Sequence, residues 1–215
     1  MSDLLKGKRG LVMGVANERS IAWGIAKALA EAGAELAFTY QGEAFGKRLE
    51  PLASSVGSDF MVDVDVTDDA SLNAAFDALG ARWPTIDFVV HAIAFSDKSE
   101  LTGRFLNTSR ENFKVSLDIS AYSFIEVARR AHPLMIENGG TLLTLTYQGS
   151  NRVAPNYNVM GVANGGVGYT LDEFNNALVS EDMRAALVEA EAAISSGALS
   201  VHDYMSDENC PFVQF

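Results

Sequence analysis

The chain has 215 residues, 48% of them hydrophobic and 20% charged, which places it in the globular class with enough material for one sizeable core. A formal net charge of −12 argues against nucleic acid, because phosphate binding needs clustered Lys and Arg, and no apolar run approaches the roughly 20 residues that cross a bilayer. Cys210 is the single cysteine, which excludes an internal disulfide; with no signal-peptide stretch after Met1, the reading is a cytoplasmic chain without membrane partners, acting on small molecules or proteins.

Short apolar runs alternate with segments of helical period, the pattern of parallel strands joined by helical crossovers. Arg9–Gly14 reads as the first strand and Ile21–Ala32 as a helix that stops at Gly33; Glu35–Tyr40 is the second strand. Phe60-Met61-Val62 precedes a helix over Asp69–Arg82, and Asp87–Ala92 reads as a buried strand. One long amphipathic segment is expected over Ser109–Ile136, broken at Gly139-Gly140, and Thr141–Thr146 is the next strand. The expected fold class is α/β: a doubly wound, mostly parallel Rossmann-type sheet in a single domain, with a further C-terminal helix and strand.

After the first strand, Gly14 to Gly24 forms a glycine-marked turn that opens a helix. Gly14, lacking a Cβ, lets backbone approach a diphosphate; Ser20 offers a hydroxyl at the helix start, where free N–H groups favour an anion. Gly24 is expected to let the helix lie close to the sheet. The spacing is not the common G-x-G-x-x-G, so an ordinary strand-to-helix loop stays open as the alternative. The second strand ends at Gln41, a neutral residue where an acid would select NAD and a base NADP, which leans towards NAD; Lys47 and Arg48 read as a solvated helix face. The histidines show no metal-ligand spacing, so no metal is expected.

Gly14–Gly24, Glu35–Gln41, Asp65-Val66, His91–Phe95, Asp118–Phe124 and Pro155–Gly161 together resemble the bacterial NADH-dependent enoyl-acyl-carrier-protein reductases of the short-chain dehydrogenase/reductase superfamily, over residues 2–163. The resemblance implies NADH/NAD as cofactor, an enoyl thioester on acyl carrier protein as substrate, and a homo-oligomer. By position it implies that Gly14, Ser20 and Ile21 hold the diphosphate, Gln41 faces the adenosine ribose, and Asp65 and Val66 contact adenine. Ala92, Ile93 and Ala94 would line the cofactor, with Ile119 and Leu145 near its nicotinamide half. Tyr157 matches the hydrogen-bond donor to the enolate oxygen, Tyr147 a second active-site tyrosine, and Met160 a methionine beside the donor.

The family pattern has a lysine seven residues after that tyrosine; here the position is Asn164. Asparagine carries no charge, and its shorter chain is expected not to cover the lysine's distance, so weak cofactor binding and little reductase activity are expected. Gly165-Gly166 costs a helix roughly 1 kcal/mol per glycine, so the helix bearing Tyr157 is expected to stop there and leave Tyr157 without rigid support. From Asn164 onward nine acids face one base, Arg184, in a segment distinct from residues 1–163. A helix is expected from Ser180 to a stop at Gly197, then a short strand at Leu199–Tyr204. Residues 164–215 loosely resemble the C-terminal end of basic-membrane-protein-type nucleoside-binding proteins. The competing reading is therefore a chimeric scaffold without catalysis, retaining at most residual dinucleotide binding.

Overall fold

The structure is a computed structural model that describes residues 3–150, 154 and 156–165. The chain divides into two units, Met1–Gly168 and Tyr169–Phe215, and the fold below is that of the first. The helix expected from Ser180 and the strand expected at Leu199–Tyr204 lie outside the described residues.

Five strands, β1 (Arg9–Met13), β2 (Glu35–Tyr40), β3 (Met61–Asp63), β4 (Phe88–His91) and β5 (Thr141–Thr144), form one sheet in the order β3-β2-β1-β4-β5. Every adjacent pair is parallel; Val12 lies opposite Phe38 of β2 and Val90 of β4. The crossovers are α1 (Ile21–Glu31), α2 (Glu43–Ser55), α3 (Asp69–Arg82), the single turn α4 (Lys98–Leu101), and the consecutive α5 (Arg110–Leu117) and α6 (Ser123–Met135); α7 (Asn158–Gly165) follows β5. This is the Rossmann-like α/β arrangement the alternation predicts.

The period of two along each strand sorts the core onto the two faces of the sheet. Val12, Leu36, Phe38, Phe88 and Val90 pack with Trp23 and Ala26 of α1 and Leu49 and Ala53 of α2. Leu11, Met13, Ala37 and Val89 pack on the opposite face with Leu72, Phe76 and Leu79 of α3 and Val127 and Ala131 of α6. Phe38 and Leu72 are fully buried, so truncating either to alanine costs about 2–5 kcal/mol.

Three differences from the sequence reading bear on the site. β1 and β4 end one residue early and β5 two: Gly14 leaves β1 at φ +91°, and β5 stops at Thr144, whereas β2 ends at Tyr40 as expected. The helix whose solvated face Lys47 and Arg48 suggest runs over Glu43–Ser55, bounds the hydrophobic pattern does not mark because Pro51 lies inside it. The segment expected as one helix over Ser109–Ile136 carries a π-turn at Asp118–Tyr122. There Ser123 N–H bonds to the Asp118 carbonyl five residues back, and the Ile119 carbonyl accepts the Ser123 hydroxyl at 2.6 Å.

Candidate nucleotide cleft and tyrosine site

The strand order reverses between β1 and β4, which is where an open parallel sheet leaves a crevice beyond its carboxyl ends. A cleft of about 470 Å³ opens there. Its walls include Gly14, Gln41, Asp65, Val66, Ala92, Ile93, Ala94 and Ile119, all eight expected at a cofactor from the sequence. Ser20, Ile21, Leu145, Tyr147 and Tyr157 are not among its walls. Val15, Ala16, Phe45 and Phe95 are, and sequence reasoning assigned them no role. Phe45 belongs to α2, whose bounds the hydrophobic pattern did not give, and Phe95 was visible only as the last residue of the run after β4.

Gly14 fits the position expected of it for a different reason. A Cβ there would lie 2.0 Å from the Ala92 carbonyl oxygen, so the glycine is demanded by contact between the chain ends of β1 and β4, on top of its positive φ. Gly24 is a correction. A Cβ at Gly24 meets nothing within 4 Å, so this glycine does not bring α1 against the sheet; Ala22, Trp23 and Ala26 do that. At the helix start, Ser20 adopts the extended N-cap conformation but gives its hydroxyl hydrogen to the Asn17 carbonyl at 2.7 Å instead of capping the helix. The first turn of α1 carries no acid, and Ile21 is exposed, so its N-terminal dipole faces outward without a competing carboxylate.

At the far end of the cleft, the Asp65 carboxylate accepts the Thr67 hydroxyl at 2.7 Å and the Thr67 N–H at 2.9 Å. The Thr67 hydroxyl, then its N–H, hold Asp65 below the usual carboxylate range, against a smaller opposing effect of burial; Gln41 contributes a further hydrogen bond. A fixed anion therefore stands beside Gln41 as an acceptor for an amine.

The middle of the cleft is set by buried polar contacts. Ser120, in the π-turn, accepts the Phe95 N–H at 3.0 Å and so fixes the loop after β4. His91, at the end of β4, lies 2.8 Å from the Ser123 hydroxyl. That hydroxyl gives its hydrogen to Ile119, so His91 Nε2 carries the proton and donates, leaving Nδ1 to accept from Thr144 at 3.4 Å. Burial pushes the His91 pKa down to about 4, keeping the ring neutral.

Tyr147, Tyr157 and Asn164 form a second cluster. The two tyrosine rings meet edge-on with centroids 4.7 Å apart, and a Cβ at Gly149 would lie 2.6 Å from the Tyr157 ring. Asn164 donates from Nδ2 to the Tyr157 hydroxyl at 2.8 Å and to the Met160 carbonyl at 2.8 Å. Burial raises the Tyr157 pKa above its ordinary value, the Asn164 hydrogen bond opposes this, and Tyr147 adds to the rise. Ser120 also approaches the Met160 sulfur at 3.9 Å, which ties this cluster to the cleft through the π-turn.

Two expectations about this cluster are corrected. Tyr157 precedes α7 instead of riding on it, between Asn156 and Asn158, both at positive φ. Its support is the Tyr147 ring, the Gly149 backbone and Asn164, so continuation of the helix beyond Gly165, which lies outside the described residues, is not what fixes the phenol. Asn164 reaches Tyr157 directly, a contact the sequence reading did not foresee.

The family described as enoyl-(acyl carrier protein) reductase matches residues 14–203. The chain belongs to that family. Enoyl-acyl-carrier-protein reductase (NADH) 2 of Rhizobium meliloti (strain 1021) is 63% identical over 163 residues, covering 76% of this chain and 60% of the relative. Among solved structures, FabI from Candidatus Liberibacter asiaticus is 57% identical with a TM-score of 0.76, covering 77% of this chain and 64% of that one. The enoyl-acyl-carrier-protein reductase from Anaplasma phagocytophilum, solved in complex with NAD, is 51% identical with a TM-score of 0.75 over 77% of this chain and 64% of that one. The chain thus spans about 60% of the length of the curated reductase named above. The family match reaches residue 203, some way past Ala163, where the resemblance read from the sequence ends.

Proposed function

We propose that this chain binds NADH in the cleft beyond β1, β2 and β4 and belongs to the reduction of trans-2-enoyl thioesters carried on acyl carrier protein, in fatty acid synthesis. The observation that carries the reading is the cleft at the sheet's switch point, walled by Gly14, Gln41, Asp65, Val66, Ala92 and Ile119, with a tight turn at Gly14 where a Cβ would meet the Ala92 carbonyl. The donor set fits a dinucleotide. The start of α1 at Ser20 and Ile21 suits a diphosphate through the Ile21 N–H, the Ser20 N–H being given to the Asn17 carbonyl; Gln41 suits a ribose hydroxyl, and the fixed Asp65 anion, beside Val66, an adenine amine. Ala92, Ile93 and Ile119 supply apolar wall towards the nicotinamide half, with Leu145 assigned there by its family position.

Bound nicotinamide would supply the hydride that adds to the β-carbon of the enoyl thioester. Tyr157 then donates its phenol hydrogen bond to the oxygen on which enolate charge develops, and Tyr147 shapes the acyl side. A phenol whose pKa is raised stays protonated at neutral pH, as this role demands. Asn164 carries no charge to anchor the nicotinamide ribose, so cofactor binding is weak and turnover low or absent. In this reading residues 1–163 carry the nucleotide site and the acidic residues 164–215 complete or flank the same α/β domain. Cytoplasmic location and self-association go with it; the exposed Phe113, Tyr122 and Ile125 on α5, the π-turn and α6 support the latter.

A second reading, a recombined chain without catalysis, is favoured by the composition change at Asn164 and by the 163-residue extent of the 63% identity, and opposed by the family match through residue 203. Titrating NADH into the purified protein by fluorescence, then adding an enoyl thioester, separates the two. Binding with slow turnover supports the first reading and binding without turnover the second; brisk turnover refutes the impairment, and no binding refutes the nucleotide site.

A further inference from the structure

We propose that Asn164 is a positioning residue for Tyr157: its amide nitrogen donates to the phenol oxygen and leaves the phenol hydrogen free for an acceptor in the site. The orientation of the amide follows from its second partner. Nδ2 lies 2.8 Å from the Met160 carbonyl as well as 2.8 Å from Tyr157 Oη, and a backbone carbonyl can only accept. The nitrogen must therefore face both groups, with one amide hydrogen committed to each. Flipping the amide would set two acceptors, Oδ1 and the Met160 carbonyl, against each other.

With its oxygen accepting from Asn164, the phenol cannot also aim its hydrogen there. The asparagine is itself firmly held, since it is 7% exposed and its own backbone carbonyl accepts the Thr146 hydroxyl at 3.2 Å, just beyond β5. A hydrogen bond received at the phenol oxygen also polarises the O–H bond and makes it a better donor. The exchange of lysine for asparagine thus removes a charge while adding a direct contact to the tyrosine. That the acceptor is an enolate oxygen rests on the function proposed above; the direction of the Asn164–Tyr157 hydrogen bond does not.

The test is a pH titration of the full chain labelled with tyrosine carrying carbon-13 at Cζ, with the Tyr157 signal assigned by its loss in Tyr157→Phe. Asn164→Leu, which removes the donor, raises the Tyr157 pKa. Asn164→Asp raises it further, because a carboxylate can only accept and takes the phenol hydrogen. An unchanged Tyr157 titration in both variants overturns the proposal. Should either variant fail to fold, the Asn164 side-chain amide resonances of the unaltered sequence decide: they move on Tyr157→Phe if the contact exists, and an unmoved pair overturns it. All of these signals are read without cofactor, so a failure to bind NADH leaves them intact and bears only on the proposed function.

Discussion

The cleft and the tyrosine cluster are built in different ways. The cleft is a product of backbone: Gly14 at positive φ, its absent Cβ 2.0 Å from the Ala92 carbonyl, and helix α1 starting with no acid in its first turn. The tyrosine cluster is a product of side chains, with Tyr147, Tyr157 and Asn164 held by one ring contact and hydrogen bonds of 2.8 Å. Backbone geometry of the first kind tolerates no substitution at its tight point, whereas a side-chain network can exchange one donor for another and still close. At Gly14 the turn holds a geometry that only glycine fits, whereas the contact at Asn164 is made by a side chain.

The sharpest way to break this contrast is Gly14→Ala. A methyl group driven into the Ala92 carbonyl at positive φ destabilises the fold by about 2–4 kcal/mol and abolishes NADH binding; urea unfolding with NADH fluorescence measures both. Tyr157→Phe is expected to spare stability and NADH affinity while lowering any enoyl-thioester turnover by roughly a hundredfold, the loss typical of one oxyanion donor. His91 is buried at the end of β4, bonded to Ser123 of α6 and to Thr144 of β5. Its folded pKa, about 4, lies below the ordinary 6.5, so the folded state binds fewer protons. The stability that goes with neutral His91 is complete above pH 6.5 and is lost as pH falls towards 4, by up to about 3 kcal/mol; unfolding curves across that window, compared with His91→Gln, expose the slope. The smallest effect belongs to Gly24→Ala: with open space around the new methyl, α1 gains about 0.5–1 kcal/mol and NADH binding is unchanged.

Much of this was legible in the sequence because strands buried on both faces read as apolar runs and their crossovers as helical periods. The five strands follow from that order, while the residues around the cleft were assigned through the family resemblance, position by position. What stayed hidden depends on contacts through space. The π-turn at Asp118–Tyr122 is invisible to periodicity because one extra residue in a turn barely shifts the pattern, yet it sets Ile119 and Ser120 at the site. Gly24 looked like a packing glycine from its distance to Gly14, and only the empty space beside it shows otherwise. The Asn164–Tyr157 hydrogen bond was not legible either, because sequence spacing does not reveal that Tyr157, the residue before α7, meets Asn164 near the end of that helix.

The central claim is that reduced nicotinamide nucleotide sits at the carboxyl ends of β1, β2 and β4 against the N-terminus of α1. Backbone amide spectra recorded during an NADH titration test it most directly. The account predicts that Gly14, Ser20, Ile21, Asp65 and Ala92 shift together and saturably; unperturbed amides at these positions, or shifts confined to the outer face of α5 and α6, would contradict it.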